Sequence, residues 1–309
     1  MYKKMYQHDI SLHSGIPKIY SHLKHKKFGE WEIPPWDVYI DSNKLLGEGS
    51  WAKVYLAEWR QTTVVAKVLK NSFDLHSKGL IIKEFENMTK MHHPNIVQLF
   101  GYIEEPFIII MEYFQNGDLF DNLNKLKLSQ KITIANDIIK GLIYIHERKP
   151  NSLIHRDIKP RNILLTNSYC AKIADFGLST FSIGNIIKIA SNNNLVLFEN
   201  EESSKNIESA ELNEYTDYVG TERYMAPEVK TNHYDNKVDI YSCGILLYEL
   251  FSGSKYVDKF NWDNYNISYK LKELILKMVN ISPENRPNAS NTLYNFNKIK
   301  FNKFMIFFT

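Results

Sequence analysis

Residues 155–162 read His-Arg-Asp-Ile-Lys-Pro-Arg-Asn, which places five chemically versatile residue types on one short loop. The loop lies between two apolar pairs, Leu153-Ile154 and Ile163-Leu164. Short apolar runs of this kind are typical of buried strands, so we expect the polar residues at the rim of a rigid core. Any one of them alone is most simply interpreted as a solvated loop residue. The set as a whole indicates a site of chemistry.

The hydrophobic pattern divides the chain into a strand-rich first part and a helical second part. Of its 309 residues 44% are apolar, enough to bury a sizeable core. Apolar and β-branched runs predict strands within 38–70, 96–103 and 107–113, and a helical period predicts a helix over 77–91. The later helices are predicted at 130–147, 237–251, 268–280 and 289–299. The predicted class is therefore α+β, with five strands and one helix before a mainly helical half.

Composition argues against several classes of protein. A formal net charge of +3 is too small to indicate a nucleic-acid or membrane partner. No apolar run approaches the ~20 residues of a membrane helix, and the first residues lack the apolar segment of a signal peptide. The two cysteines, Cys170 and Cys243, exclude a disulfide framework and suit a reducing compartment. We therefore expect a cytoplasmic protein, with the nucleus not excluded, and a monomer by default.

Two segments differ from the rest of the chain. Residues 1–35 are basic and end in Pro34-Pro35, which predicts an N-terminal extension before a domain over 36–309. Residues 191–214 contain six Glu and one Lys among many Asn and Ser, which predicts a solvated acidic insert.

The loop at 155–162 resembles the catalytic loop of eukaryotic protein kinases, and further motifs of that family occur in the family's order. These are LGEGSWAKV (46–54), VVAK (64–67), DFG (175–177) and GTERYMAPE (220–228). The resemblance covers roughly 38–299. It implies a two-lobed fold, with a sheet-rich N-lobe over about 36–113 and a mainly helical C-lobe over about 114–309.

The resemblance also implies an ATP site. Gly47 and Gly49 would let the backbone approach the phosphates, although the family's third glycine is here Ala52. Lys67 would pair with the α- and β-phosphates and be held by a carboxylate of the following helix. Glu84 is favoured for that role, and Glu86 is interpreted as solvated. The residues implied in ATP binding are Leu46, Gly47, Glu48, Gly49, Ser50, Trp51, Ala52, Lys53, Val54, Ala66, Lys67, Glu84, Met111, Glu112, Phe114 and Leu164.

Catalytic roles follow from the same resemblance. Asp157 would orient the substrate hydroxyl and accept its proton, and Lys159 would neutralise charge on the transferring phosphoryl group. Asp175 and Asn162 would hold Mg²⁺. Lys159 and Thr221 are typical of serine/threonine kinases, in which they brace the catalytic aspartate.

Other residues are implied in support and regulation. Asp239 would hold the backbone of the catalytic loop, and Glu228 would pair with Arg286. Arg156 would grip a phosphorylated residue of the activation segment. The candidates there are Thr216 and Asp217, the latter at a position where many relatives carry phosphothreonine. That these are ordinary loop residues is an equally weighted alternative.

The resemblance implies transfer of the ATP γ-phosphoryl group to serine or threonine hydroxyls of proteins. Several sequence segments are most similar to those of the tyrosine-kinase-like group. One alternative is a pseudokinase that binds nucleotide as a scaffold, which we would expect to lack a catalytic residue. Another is a kinase of small molecules or lipids. The APE ending with its Arg286 partner argues against it, because that platform holds a polypeptide.

Overall fold

The computed structural model describes residues 23, 26–49, 52–70, 85–149, 152–181, 222–231, 234–256, 259–262 and 267–301. The chain divides into two compact units. The first comprises Met1–His92 and Val97–Phe114, and the second comprises His93–Ile96 and Gln115–Thr309.

The first unit is built on a five-stranded sheet in the order β1-β2-β3-β5-β4. Every neighbouring pair is antiparallel, which confirms the predicted sheet. The core lies against β3 and β5, where Val64, Ala66, Ile108 and Ile110 are fully buried. The strands are β1 (Val38–Glu48), β2 (Ala52–Trp59), β3 (Thr62–Leu69), β4 (Leu99–Ile103) and β5 (Ile108–Glu112).

The predicted helix over 77–91 is described only at its end, where residues 85–89 are helical. Phe85 packs edge-on against Tyr102 of β4, with ring centroids 4.8 Å apart. Aromatic pairs with this geometry contribute beyond the apolar area that they bury, so the contact fixes this helical turn on the sheet. Residues 77–84 lie outside the described residues.

The described part of the segment before β1 packs on the sheet. The N–H of Ile33 donates to the carbonyl of Tyr102 at 2.7 Å, and the N–H of Tyr102 donates to that of Trp31 at 2.9 Å. Ile33 is buried in the same apolar cluster as β3 and β5. The described part of this segment therefore covers the outer edge of β4, which no strand of the sheet pairs with.

Strand β4 starts later than its apolar pattern predicts, because the residues before it belong to the second unit. The side-chain Nδ2 of Asn95 donates to the main-chain carbonyl of Ala171 at 3.0 Å. The N–H of Ile173 donates to the Asn95 carbonyl at 2.9 Å. Ile96 forms an isolated bridge with Ile173. The predicted strand 96–103 is thus divided between two structural environments.

Helices predominate in the second unit, as predicted. Helix α2 is buried along nearly its whole length and ends at Gly253, whose φ of 70° is the left-handed conformation that glycine tolerates. Helix α1 packs against α2, α4 and strand β8, and α3 packs against α2. The helices are α1 (Leu128–His146), α2 (Lys237–Ser252), α3 (Tyr269–Met278) and α4 (Ala289–Asn297).

Two short antiparallel strand pairs in this unit frame the loop at 155–162. β6 (Leu153–Ile154) pairs with β9 (Thr180–Phe181), and β7 (Ile163–Leu165) pairs with β8 (Ala171–Ile173). Both flanks of the loop are therefore strands, as their apolar pairs predict.

Candidate active site

The polar loop is held on both sides by buried apolar strands. Leu153, Ile154, Ile163 and Leu165 have no exposed surface. The loop ends in a 3-10 turn over Pro160–Asn162, with proline at the first position, where a missing N–H costs nothing. The turn was not predicted. It brings Asn162 back towards Asp157, five residues earlier.

The carboxylate of Asp157 is buried and only half satisfied. Its Oδ2 accepts a hydrogen bond from Asn162 Nδ2 at 2.8 Å and lies 2.9 Å from the ammonium of Lys159. Its Oδ1 is buried and has no hydrogen-bond partner among the described residues. Buried polar atoms are nearly always paired, so a buried carboxylate oxygen without a partner favours a site for an incoming donor.

Asp239, on α2, fixes the backbone of this loop. Its Oδ2 accepts the N–H of His155 and its Oδ1 accepts the N–H of Arg156, both at 2.8 Å. The Nε2 of His146, at the end of α1, lies 2.8 Å from Oδ2. Complete burial disfavours the charged form, but the hydrogen bonds that the carboxylate accepts from His146 and from the N–H of His155 outweigh burial and hold the pKa of Asp239 below its ordinary value.

His155 links the loop to the segment that carries Asp175. Its Nδ1 accepts the N–H of Asp157 at 3.2 Å, so the ring proton lies on Nε2, which donates to the carbonyl of Ala174 at 3.0 Å. The ring packs edge-on against buried Phe176 at 4.8 Å. No role was assigned to His146 or His155 from the sequence. A buried histidine gives no local pattern, and only the motif around His155 pointed to it.

The residues implied in metal binding offer the oxygen ligands that Mg²⁺ prefers. Asp175 is exposed and has a φ of 64°, an unusual backbone conformation for a residue other than glycine. The N–H of Ala174 donates to the main-chain carbonyl of Asn162 at 2.9 Å, which ties the two segments together. Asn162 donates through Nδ2 to Asp157, so its side-chain oxygen faces away from that pair. A carboxylate and an amide oxygen fit Mg²⁺, which completes its shell with water and phosphate.

The described residues contain no group of three or more His, Cys, Asp or Glu side chains that could hold a metal ion.

The glycine-rich motif forms the turn between β1 and β2 in the first unit. The N–H of Gly49 donates to the carbonyl of Ala52 at 3.0 Å. An added Cβ at Gly47 would meet nothing within 4 Å, so the outer side of the loop is open. The ammonium of Lys70 lies 2.8 Å from Glu48 and lowers the pKa of that carboxyl. Ser50 and Trp51 lie outside the described residues.

The other residues implied in nucleotide binding from this unit lie mainly on β2, β3 and β5. Lys67 is half-buried and pairs in register with Val54 of β2 and Ile109 of β5. Ala52 and Ala66 are buried, Lys53 is half-buried, and Leu46 is exposed. Met111 and Glu112 are half-buried, and Phe114 is buried.

Glu84, the expected partner of Lys67, lies outside the described residues. Glu86 is exposed, in keeping with its interpretation as solvated. In the second unit, Leu164 of β7 is half-buried and pairs with Lys172 of β8.

Arg156 has a φ of 69°, and its side chain makes two hydrogen bonds with described residues. Its Nη1 donates to the hydroxyl of Tyr234 at 3.0 Å, and its Nε donates to the carbonyl of Leu178. Thr216, Asp217 and Thr221, together with the acidic insert 191–214, lie outside the described residues.

Glu228 and Arg286 form a buried ion pair. Arg286 Nη2 lies 2.9 Å from Glu228 Oε2, and Nη1 contacts Oε1, a two-pronged geometry that arginine favours. The guanidinium also donates to the carbonyls of Asn280, Lys237 and Ile281. The pair therefore joins the APE motif to the start of α2 and to the segment after α3.

Comparison with known families shows which family the chain belongs to. The family model of the protein kinase domain matches residues 40–296. The chain belongs to the protein kinase domain family. This membership confirms the predicted family and its α+β fold, with the antiparallel sheet and the helical unit described above.

Several plant proteins are similar to this kinase domain. Serine/threonine-protein kinase VIK of Arabidopsis thaliana is 33% identical over 302 residues, which cover 88% of this chain and 62% of the relative. Serine/threonine-protein kinase CTR1 of the same plant is 30% identical over 273 residues, 82% of this chain and 29% of the relative. Calmodulin-binding receptor-like cytoplasmic kinase 3, also from Arabidopsis thaliana, is 35% identical over 231 residues, which cover 71% of this chain and 40% of the relative.

The chain thus spans about three fifths of the length of the VIK kinase and less than half of the other two. In the part of the chain that the structure describes, no helix is long and apolar enough to cross a membrane.

Proposed function

We propose that this chain is an ATP-dependent kinase that phosphorylates serine and threonine residues of proteins. The observation that carries the proposal is the half-satisfied carboxylate of Asp157, whose Oδ1 is buried without a partner among the described residues. The names of the VIK and CTR1 relatives support the serine/threonine class.

In this proposal Oδ1 of Asp157 accepts the hydrogen bond of the substrate hydroxyl and then its proton. The opposite oxygen is held by Asn162 and Lys159, so the carboxylate does not need to reorient during the reaction. Thr221 is proposed to brace this group on the substrate side. Asp239 preorganises the loop by fixing two of its backbone amides.

The nucleotide is proposed to be ATP, bound by the glycine-rich turn, by Lys67 and its proposed partner Glu84, and by Ala66, Met111, Glu112, Phe114 and Leu164. Asn162 and Asp175 are the proposed Mg²⁺ ligands. When bound, Mg²⁺ neutralises charge on the phosphates, which is the chief requirement of phosphoryl transfer. Lys159, besides holding Asp157, would balance charge on the transferring group.

Arg156 is proposed to act in regulation. Arg156 binds a negatively charged residue of the activation segment, with Thr216 and Asp217 as candidates, and this requires a change of partner from Tyr234. The two free cysteines suit an intracellular, reducing environment.

The second candidate function is a pseudokinase that binds nucleotide without turnover. Lys67, Asp157, Asn162 and Asp175 are all present, which favours the active enzyme. The deciding experiment incubates the purified chain with Mg-ATP and a degenerate peptide library, beside an Asp157→Ala variant. We expect phosphoserine and phosphothreonine from the unaltered chain, and a rate lower by about 10²- to 10⁴-fold in the variant.

The matched measurement is the thermal shift that Mg-ATP produces in both proteins. A nucleotide-induced shift without phosphorylated peptide would establish the pseudokinase and overturn the proposal. Equal transfer by the variant would remove Asp157 from its assigned role.

A further inference from the structure

Arg156 has an unusual backbone conformation beside the proposed catalytic carboxylate. It directly precedes Asp157, and its φ of 69° lies in the left-handed region that residues other than glycine seldom adopt. Such a conformation persists where the surrounding structure holds it. Asp239 holds the main chain, because its Oδ1 accepts the N–H of Arg156 at 2.8 Å. The side chain is held by other groups.

Two neutral oxygens accept hydrogen bonds from the Arg156 guanidinium. Nη1 donates to the hydroxyl of Tyr234 at 3.0 Å, and Nε donates to the carbonyl of Leu178. Tyr234 lies just before α2, and Leu178 lies three residues after Asp175, a proposed Mg²⁺ ligand. The guanidinium therefore joins these two segments to the loop at 155–162, and both of these acceptors are uncharged.

The ring of Tyr234 is a rigid anchor for this contact. Only 7% of the residue is exposed, and it packs in an apolar cluster with Ile154, Ala226 and Val238. A tyrosine side chain has only two rotatable χ angles, so this packing leaves the hydroxyl little freedom. The hydroxyl thus offers Arg156 an acceptor at a fixed position.

We propose that Tyr234 is a positioning residue for phosphoryl transfer. Its hydroxyl holds Arg156, and through Arg156 it keeps Asp157 and the segment after Asp175 in place before any anion binds this arginine. The inference rests on the proposed function, because its consequence is a rate of transfer. No role was assigned to Tyr234 from the sequence. Because the hydroxyl needs no modification, we expect the unphosphorylated chain to have a basal activity that depends on it.

The test removes the hydroxyl alone with Tyr234→Phe, which keeps the buried ring. Tyr241→Phe is the matched control, because the Tyr241 ring packs on the same apolar cluster but faces the guanidinium of Arg286, 4.9 Å away. Each protein is dephosphorylated before the assay, and its thermal unfolding is recorded to show that it is folded. The measurements are kcat, the KM values for ATP and peptide, and amide hydrogen exchange of residues 178–181.

Tyr234→Phe should lower kcat by about threefold to thirtyfold, because a hydrogen bond to a charged group is lost. Both KM values should stay within about twofold, since the proposed ATP ligands are untouched. In an Arg156→Met background, Tyr234→Phe should cause less than about twofold further loss, because its effect passes through the guanidinium.

Hydrogen exchange reports the same contact without catalysis. Exchange of residues 178–181 should become several times faster in Tyr234→Phe, because Arg156 then no longer fixes the carbonyl of Leu178. Tyr241→Phe should match the unaltered chain in both exchange and kcat.

An unchanged kcat in Tyr234→Phe overturns the inference. Equal losses from Tyr234→Phe with and without Arg156→Met also overturn it, because the hydroxyl would then act on folding rather than through Arg156. So does a dephosphorylated chain that is inactive until it is phosphorylated. If the unaltered chain transfers no phosphate in any state, the proposed function fails, and hydrogen exchange alone decides whether Tyr234 holds the segment after Asp175. The two failures are therefore distinguishable.

Discussion

The Oδ2 oxygen of Asp239 accepts the main-chain N–H of His155 at 2.8 Å, and these residues are 84 positions apart in the chain. The same carboxylate binds the N–H of Arg156 and the ring of His146. A fully buried carboxylate with three N–H donors on it is well compensated. Asp239 of α2 thus holds the backbone at the start of the loop at 155–162.

Asp239→Asn is expected to destabilise the chain while preserving the shape of the side chain. The new NH₂ group would face N–H donors, and loss of a buried charged partner costs about 3–5 kcal/mol. Thermal and urea unfolding, followed by tryptophan fluorescence, measure the difference. Asp235→Asn, at a half-buried aspartate just before α2, is the control and should cost much less.

The same variant tests the electrostatic argument through pH. The pKa of Asp239 is lowered in the folded state, so its stabilising contribution is present above the unfolded pKa of about 3.9 and is lost as pH falls through the folded pKa. The difference in stability between the unaltered chain and Asp239→Asn should shrink as the pH falls below about 4. A difference that grows on acidification would contradict this assignment.

A second prediction concerns the buried pair of Arg286 and Glu228. The Arg286 side chain has no exposed surface and donates to Glu228 and three carbonyls. Arg286→Lys keeps the charge but cannot supply a planar fork, so we expect it to lose most of the stability that Arg286→Ala loses, about 3–5 kcal/mol.

Urea titrations of Arg286→Lys, Arg286→Ala and Glu228→Gln measure these losses. Arg161→Lys, at a partly exposed arginine, serves as the matched control and should change stability by less than about 1 kcal/mol. An Arg286→Lys variant as stable as the unaltered chain would show that charge alone suffices and that the geometry is unimportant.

Much of the fold follows from local sequence. A continuous run of β-branched and apolar residues predicts strands such as β3, in which Val64, Val65 and Ala66 are all buried, and apolar residues at helical spacing predict α1 and α2. What these patterns cannot supply is the partner of a buried polar group. Nothing around His146 indicates that its ring meets Asp239, because that contact is made 93 residues away.

The same limit explains why the start of β4 and the docking of the segment before β1 could not be predicted. The apolar run from Ile96 continues into β4, but Asn95 and Ile96 pair with Ala171 and Ile173, so β4 begins only at Leu99. Before β1, Pro34-Pro35 was interpreted as the end of a linker. The hydrogen bonds that Ile33 and Trp31 form with Tyr102 are main-chain contacts and leave no mark in the side-chain pattern.

A third prediction tests that docked segment through Gly101. An added Cβ there would lie 2.5 Å from the carbonyl oxygen of Trp31 and 2.9 Å from the Ile33 side chain, and the φ of Gly101 is 155°. Gly101→Ala should therefore displace the segment before β1. Gly29→Ala is the matched control, because a Cβ there meets nothing within 4 Å.

Trypsin cleavage after Lys26, identified by mass spectrometry, measures this displacement. Lys26 is held by contacts with Glu32 and Glu104, so it should be cut slowly in the unaltered chain and in Gly29→Ala. Gly101→Ala should be cut several times faster. Equal cleavage in all three proteins would mean that the segment does not depend on the close approach at Gly101.

The fourth prediction concerns the two free cysteines, which should differ sharply in reactivity. Cys243, on α2, has no exposed surface, and burial together with the negative charge of Asp239 raises the pKa of its thiol. A raised thiol pKa leaves less of the reactive thiolate at pH 8, and burial blocks the reagent as well. Cys170 is half-buried, beside the hydroxyl of Ser168.

A disulfide reagent such as DTNB should therefore react quickly with one thiol of the folded chain and with both in 6 M guanidinium. Cys170→Ser should lose the fast phase. Two fast equivalents in the folded chain would show that α2 is not buried as described.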